Sequence, residues 1–246
     1  MSDDTLAAVI ARMRVDLDEL TDARRFFHAT YLRTTLAVAA EIDGGGFADN
    51  AWAGLWDVAF ANLYLDALDA DRRGNAVSGP WRIAFDAARD QPDLPPLRHV
   101  LLGLNAHINY DLPQALLAVI SPDDFDDPRL LGSRQADHRH IDVVLRKRVG
   151  AEDNELTAVS TVTLLDRLLR PANRAATRRF LGEARAKVWR NVVLLDRARR
   201  VAPSEYASAL AVLEKQSTAR VRDLTRSRNV LIGLARHGFG VLMPGA

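Results

Sequence analysis

The chain is organised around the stretch Gly103-Leu104-Asn105-Ala106-His107-Ile108-Asn109-Tyr110-Asp111-Leu112-Pro113, which places four polar residues inside an apolar segment. In a helix, His107 and Asp111 lie one turn apart on one face, and Asn105 and Asn109 lie one turn apart on a neighbouring face. Burial of these groups without partners would cost several kcal/mol. The sequence therefore predicts partners for them, which are other side chains, ordered water, a metal ion or a substrate.

The apolar positions around this stretch recur at intervals of three and four residues, which is typical of a helix with a buried face. The same periodicity predicts helices at about 5–20, 21–42, 49–71, 81–89, 97–120, 137–149, 153–169, 173–201 and 204–237. We expect Pro113 to interrupt or bend the central helix because proline cannot donate a backbone hydrogen bond. Residues 121–128 are expected to form a solvated acidic loop, and residues 238–246 an extended end. No convincing strand pattern is present.

These patterns predict a single all-α domain over residues 1–246, a bundle of roughly eight helices. The composition agrees with this, since 48% of the residues are hydrophobic and 26% are charged, as in globular proteins with a core. The formal net charge is +1, and the arginines are interleaved with acidic residues, which argues against nucleic-acid binding.

Cysteine is absent, which excludes disulfides, thiolate metal sites and a cysteine nucleophile. The first residues lack the basic start and apolar run of a signal peptide, and no stretch has the length and hydropathy of a membrane span. From these features we expect a cytoplasmic protein.

Three stretches carry a resemblance to a known family, namely Tyr31–Thr35, Trp56–Tyr64 and, above all, Gly103–Leu112. Weaker similarity extends to Asp137-His138 and to Ala186–Trp189. On these residues the chain resembles the DUF5995 family, a bacterial family of unknown function that is common in actinobacteria. The resemblance implies a domain that covers most of the chain and has a polar centre. It implies no reaction.

A metal site is one interpretation of the polar centre. The helical spacing of His107 and Asp111 allows both to bind one metal ion, as in helix-borne His-x-x-x-His sites. Further ligands would come from neighbouring helices, and we single out Asp57 and His138 as metal ligands. The other candidates for these positions are Asp66, His28 and Asp137. Such a set suits a divalent transition metal such as zinc, iron or manganese.

A second interpretation is a metal-free site for a small molecule. His107 would be the general acid or base, oriented by Asp111 or Asp57. The residues expected to bind the substrate are Arg33, Asn62, Tyr64, Asn105, Asn109 and Tyr110, with Tyr31 as a further hydrogen-bond donor.

A third interpretation is a non-catalytic helical module that binds a small ligand or a protein partner. In this case the same polar residues form a buried hydrogen-bond network that fixes how the helices pack. The sequence leaves the three interpretations open. They differ in one respect, because an enzyme requires an open, hydrated cleft that reaches His107, whereas a structural network is closed and fully paired.

Overall fold

The computed structural model describes residues 5–155, 171–226 and 238–245, and all regular elements within these ranges are helical. The elements are α1 Leu6–Glu19, α2 Arg24–Asp43, α3 Asn50–Arg72, α4 Gly79–Asp90, α5 Pro96–Ala106, a π-helical turn His107–Asp111, α6 Leu112–Val119, α7 Pro122–Asp126, α8 Pro128–Glu155, α9 Pro171–Val201 and α10 Pro203–Arg226. If α5, the π-helical turn and α6 are taken as one continuous helix, the described residues form nine helices, eight of them with seven residues or more. The predicted all-α bundle is confirmed.

The starts of α1 and α3 follow local capping chemistry. The side chain of Thr5 accepts a hydrogen bond from the backbone nitrogen of Ala8 at the start of α1, and Asp49 accepts one from Trp52 at the start of α3. Each cap satisfies a backbone donor that has no partner within the helix. In the described parts of the chain, no helix is both long and apolar enough to cross a membrane.

Two predicted boundaries differ from the structure. Residues 121–128 are not only loop, because Ser121 and Asp124 form a reciprocal capping box that starts the short helix α7. Helix α8 begins at Pro128 rather than near residue 137 and continues to Glu155. Most of the helix predicted at 153–169, and the end of the one predicted at 204–237, lie outside the described residues.

The predicted interruption near Pro113 takes the form of the π-helical turn. The backbone nitrogen of Leu112 donates to the carbonyl oxygen of His107, five residues earlier, and Pro113 falls in the first turn of α6, where its missing donor is not needed. His107, Asn109 and Asp111 are all buried. Residues two apart point to different sides of a helix, so this turn is enclosed by protein on more than one face.

The turn lies where two apolar clusters meet. The first cluster contains Leu101 and Leu102 of α5 and Trp81 of α4, whereas the second contains Leu116 of α6. Ile108, in the turn itself, packs against both clusters. The central helix therefore contributes its first half to one part of the core and its second half to the other.

A pair of glycine substitutions tests this packing. A Cβ atom at Gly103 would lie 2.3 Å from Cγ of Phe27, whereas one at Gly54, also within a helix, would meet nothing within 4 Å. We expect Gly103→Ala to lower the free energy of unfolding by about 1 to 3 kcal/mol through overpacking. Gly54→Ala should raise it by about 0.5 to 1 kcal/mol, because alanine loses less backbone entropy. Urea denaturation measures both, and equal effects would contradict the close approach of α2 and α5.

Candidate functional site

A hydrogen bond joins two buried side chains, one at each end of the π-helical turn. Nδ1 of His107 lies 2.8 Å from Oδ2 of Asp111, as the helical spacing predicted. The indole nitrogen of Trp81, on α4, donates to the same oxygen at 2.8 Å. His107 is 1% exposed and Asp111 is 2% exposed. The sequence analysis missed Trp81, although a buried indole N–H usually has an acceptor.

The hydrogen bonds of Asp111 are the basis on which we assign the protonation of the imidazole. Desolvation lowers the pKa of His107 and raises that of Asp111, while the hydrogen bond between them acts in the opposite direction on each. Oδ2 of Asp111 accepts from Trp81, so we assign it as an acceptor from Nδ1–H of a neutral His107 as well. Nε2 then carries the lone pair, and this atom is buried without a hydrogen-bond partner.

Aromatic rings enclose this imidazole. The Phe60 ring is stacked on it, with centroids 3.6 Å apart and an angle of 5° between the planes, and Tyr31 approaches edge-on at 4.5 Å. Three more rings lie with their centroids within 6.1 Å, those of Phe27, Tyr64 and Trp81. The five rings form the aromatic cage of His107. They explain the desolvation, because none of them replaces the water that would solvate a charged imidazole.

Asp57 belongs to the same interior region but does not orient His107. Its side chain is 7% exposed, Oδ2 has no partner, and burial raises its pKa to about 7. Desolvation and then the charge of Asp57 raise the pKa of Tyr31, whose buried hydroxyl has no partner either. The centre thus combines features of two interpretations, since it is closed to solvent like a structural network but is not fully paired.

The predicted metal set is not assembled. In the ranges that the structure covers, no three His, Cys, Asp or Glu side chains are grouped so that they could hold a metal ion. His138 lies instead between the rings of Trp56 and Trp189, with centroids 5.6 and 5.7 Å away. Asp137 caps backbone groups, accepting from the nitrogens of Ala48 and Asp49.

Other candidates for the site have separate partners. Tyr64 and His28 form a buried hydrogen bond of 2.8 Å, while the other ring nitrogen of His28 contacts the Met13 carbonyl oxygen at 2.7 Å. Asp66 is paired with Arg12 at 3.8 Å near the surface.

The remaining predicted substrate residues are only partly buried. Arg33 donates to the hydroxyl of Thr30 at 3.4 Å. Asn62 and Tyr110 are both half-buried, and desolvation raises the pKa of Tyr110. These observations on Arg33, Asn62 and Tyr110 indicate no particular ligand.

The two asparagines of the central stretch bind the C-terminal segment, residues 238–245. The Nδ2 atoms of Asn105 and Asn109 both donate to the carbonyl oxygen of Phe239, at 3.0 and 3.1 Å. Oδ1 of Asn109 accepts from the backbone nitrogen of Val241 at 3.0 Å. In this structure the two asparagines bind residues 239 and 241 of the chain itself, and their role in substrate binding stays a prediction.

A third asparagine, which the sequence analysis missed, continues this arrangement. Asn191 on α9 donates to the carbonyl oxygen of Val241 at 3.0 Å and accepts from the nitrogen of Met243 at 2.9 Å. The available signal was a polar residue within the apolar run 188–195, at a position where helical periodicity predicts burial. We call Asn105, Asn109 and Asn191 the asparagine clamp.

Fold and site together define an all-α protein with a buried His–Asp pair and a clamped C-terminal segment. A family model described as a family of unknown function (DUF5995) matches residues 6–227, and the chain belongs to this family. Searches of curated proteins and of solved structures found no match. The matched range includes the asparagine clamp and ends before the segment that the clamp holds.

Removal of the shared acceptor tests the buried pair. Asp111→Ala leaves the donors of His107 and Trp81 unpaired, so we expect a loss of about 1 to 3 kcal/mol in unfolding free energy for each buried donor. Trp81→Phe removes one donor and retains a large ring, and it should cost less. Urea denaturation of the two variants makes the comparison, and an equal or larger loss in Trp81→Phe would show that the carboxylate is not the central acceptor.

The carboxyl group of Asp57 predicts a pH-dependent stability. Its pKa is about 7 in the folded chain, against an ordinary value of 3.8 for an aspartate. Between these values the folded state binds more protons than the unfolded state, so stability falls as the pH rises. Asp57→Asn does not titrate. Its stability relative to the wild type should therefore increase from about pH 4 to about pH 7, by on the order of 4 kcal/mol at most.

Urea denaturation at a series of pH values measures this difference. Asp66→Asn is the matched control on the same helix, because the Asp66 side chain is 75% exposed. A stability difference between Asp57→Asn and the wild type that does not change with pH would contradict the burial of an ionisable carboxyl group.

Proposed function

We propose that this protein binds a small molecule beside His107 and that His107 acts on it as a general base. The observation that carries the proposal is the asymmetry of the imidazole. Asp111 holds Nδ1 at 2.8 Å and fixes the tautomer, while Nε2 is buried with no partner. A histidine with one nitrogen bonded to a carboxylate and the other free is arranged to accept a proton.

Two neighbouring groups supply the complementary chemistry. The raised pKa of Asp57, about 7, keeps a large share of this carboxyl group protonated near neutral pH, so it can donate a proton. The hydroxyl of Tyr31 is buried and has no partner, and its raised pKa keeps it a hydrogen-bond donor. A neutral base and a protonated acid in one apolar interior form the pair that acid–base catalysis requires.

The aromatic cage indicates the class of ligand. Five rings surround the imidazole, and such surfaces favour a flat, uncharged and mostly apolar molecule that brings one acidic proton to Nε2. Three of the rings, those of Phe27, Tyr64 and Trp81, also line a small cleft between α2, α4 and α5 that is partly open to solvent and has a cavity volume of about 10 Å³, enough for a single water molecule. Entry from this cleft requires a movement of those rings, as in enzymes whose sites open only transiently.

A second candidate function is the non-catalytic module. Its supporting observation is that His107 is 1% exposed and that a single carboxylate oxygen joins α4 to both ends of the π-helical turn. In this case the pair serves packing alone, and Nε2 takes no part in binding.

Two substitutions separate these functions. His107→Asn keeps an amide donor near the position of Nδ1, so its bond to Asp111 can persist, but the variant has no Nε2. Phe60→Leu removes the stacked ring and leaves the imidazole intact. The probe is 5-nitrobenzisoxazole, a flat uncharged compound that a general base opens by removing the proton from carbon, with a colour change.

We expect the wild type to accelerate this opening over buffer. His107→Asn should lose about 100-fold or more of that rate, as is typical when a general base is removed, and Phe60→Leu, which loses one ring of the cage but keeps the base, should lose less. Circular dichroism confirms that each variant is folded. No acceleration by the wild type, or equal rates in the wild type and His107→Asn, would reject the general base and favour the non-catalytic module.

A further inference from the structure

The asparagine clamp contacts the C-terminal segment in a regular register. Asn109 bonds to residues 239 and 241, and Asn191 bonds to residues 241 and 243. The side-chain amides of Asn109 and Asn191 therefore each donate to a carbonyl oxygen and accept from the backbone nitrogen two residues further on. All four bonds go to main-chain atoms, which is how proteins hold an extended peptide regardless of its side chains.

Side chains of the segment add selectivity. Phe239, Val241 and Met243 are 4%, 5% and 6% exposed, so alternate residues are buried against the helices. Between the first two stands Gly240, where a Cβ atom would lie 2.8 Å from Cα of Ala184 in α9. The groove thus accepts an apolar residue, then glycine, then apolar residues at the third and fifth positions.

The surrounding charges hold the same glycine. Lys187 donates to the carbonyl oxygen of Gly240 at 3.1 Å, and the backbone nitrogen of Gly240 donates to Glu183 at 3.4 Å. Both side chains lie on α9, Lys187 about one turn and Glu183 about two turns before Asn191. Polar contacts therefore run along the main chain of the segment from residue 239 to residue 243.

We propose that this groove is a peptide-binding site that also takes residues 238–245 of a second copy of the chain, so that two copies join by exchange of their ends. The hydrogen bonds and buried side chains described above connect the segment with the groove, and they are the same whichever copy supplies it. Covalent attachment only raises the local concentration of the chain's own segment. The proposal does not depend on His107.

The length of the family match supports the separation of groove and segment. Asn105, Asn109 and Asn191 all lie within the matched residues 6–227, whereas the segment follows at 238–245. The groove is thus a feature of the matched domain, and its occupant is a segment outside the match. Domain swapping exchanges elements of this kind, which are bound to the rest of the domain through a compact set of contacts.

A complementation experiment with full-length chains tests the proposal. Gly240→Leu displaces the chain's own segment and leaves its groove vacant, since the larger side chain collides with α9. The double variant Asn109→Ala/Asn191→Ala has a natural segment and a weakened groove. Sedimentation velocity of an equimolar mixture should show a heterodimer, whereas each variant alone should sediment as a monomer. A mixture that remains monomeric up to near-millimolar concentration would overturn the proposal.

A labelled peptide of residues 238–246 gives a second, independent measurement. Fluorescence anisotropy should show saturable binding to folded Gly240→Leu, at least about tenfold weaker binding to the wild type, where the attached segment competes, and no binding of a peptide that itself carries Gly240→Leu. If Gly240→Leu does not fold, the titration is made against the wild type alone. Saturable binding there supports the site, and its absence at millimolar peptide refutes it.

Discussion

The structure depends on one carboxylate oxygen. Oδ2 of Asp111 accepts hydrogen bonds from His107, at the other end of the π-helical turn, and from Trp81, on a different helix. Both donors are buried, so neither can turn to water if the acceptor is lost. Burial of a charged or polar acceptor among aromatic rings costs free energy unless the acceptor is hydrogen-bonded. The two donors, His107 and Trp81, offset this cost for Asp111.

The polar centre has two sides. The His107–Asp111 pair faces α4 and the rings of the aromatic cage, whereas Asn105 and Asn109 face the C-terminal segment. These residues alternate along the end of α5 and the π-helical turn, so they point to different sides of the central helix. One short stretch of sequence therefore makes two distinct sets of contacts, one through the His107–Asp111 pair and one with the main chain of the C-terminal segment. Their different partners explain why the stretch carries so many polar residues in an apolar setting.

The sequence predicted those features that depend on interactions between residues close together in the chain. Apolar periodicity located the helices, and Pro113 marked the interruption of the central one, because both effects act over a few residues. Trp81, Asn191 and the C-terminal segment could not be assigned as partners, since their contacts with the central stretch depend on how distant helices pack. The error at residues 121–128 is of another kind. The capping box of Ser121 and Asp124 was visible in the sequence, but the acidic composition of residues 121–128 was interpreted as typical of a loop.

The π-helical turn also sets an angular offset within the central helix. Each residue of an α-helix advances about 100° around the axis, so the one additional residue in the turn rotates α6 by roughly that angle relative to a regular continuation of α5. Leu101 and Leu102 face one apolar cluster before the turn, and Ala115 and Leu116 face the other after it. The rotation at the turn therefore allows one helix to pack against two apolar clusters that lie in different directions around its axis.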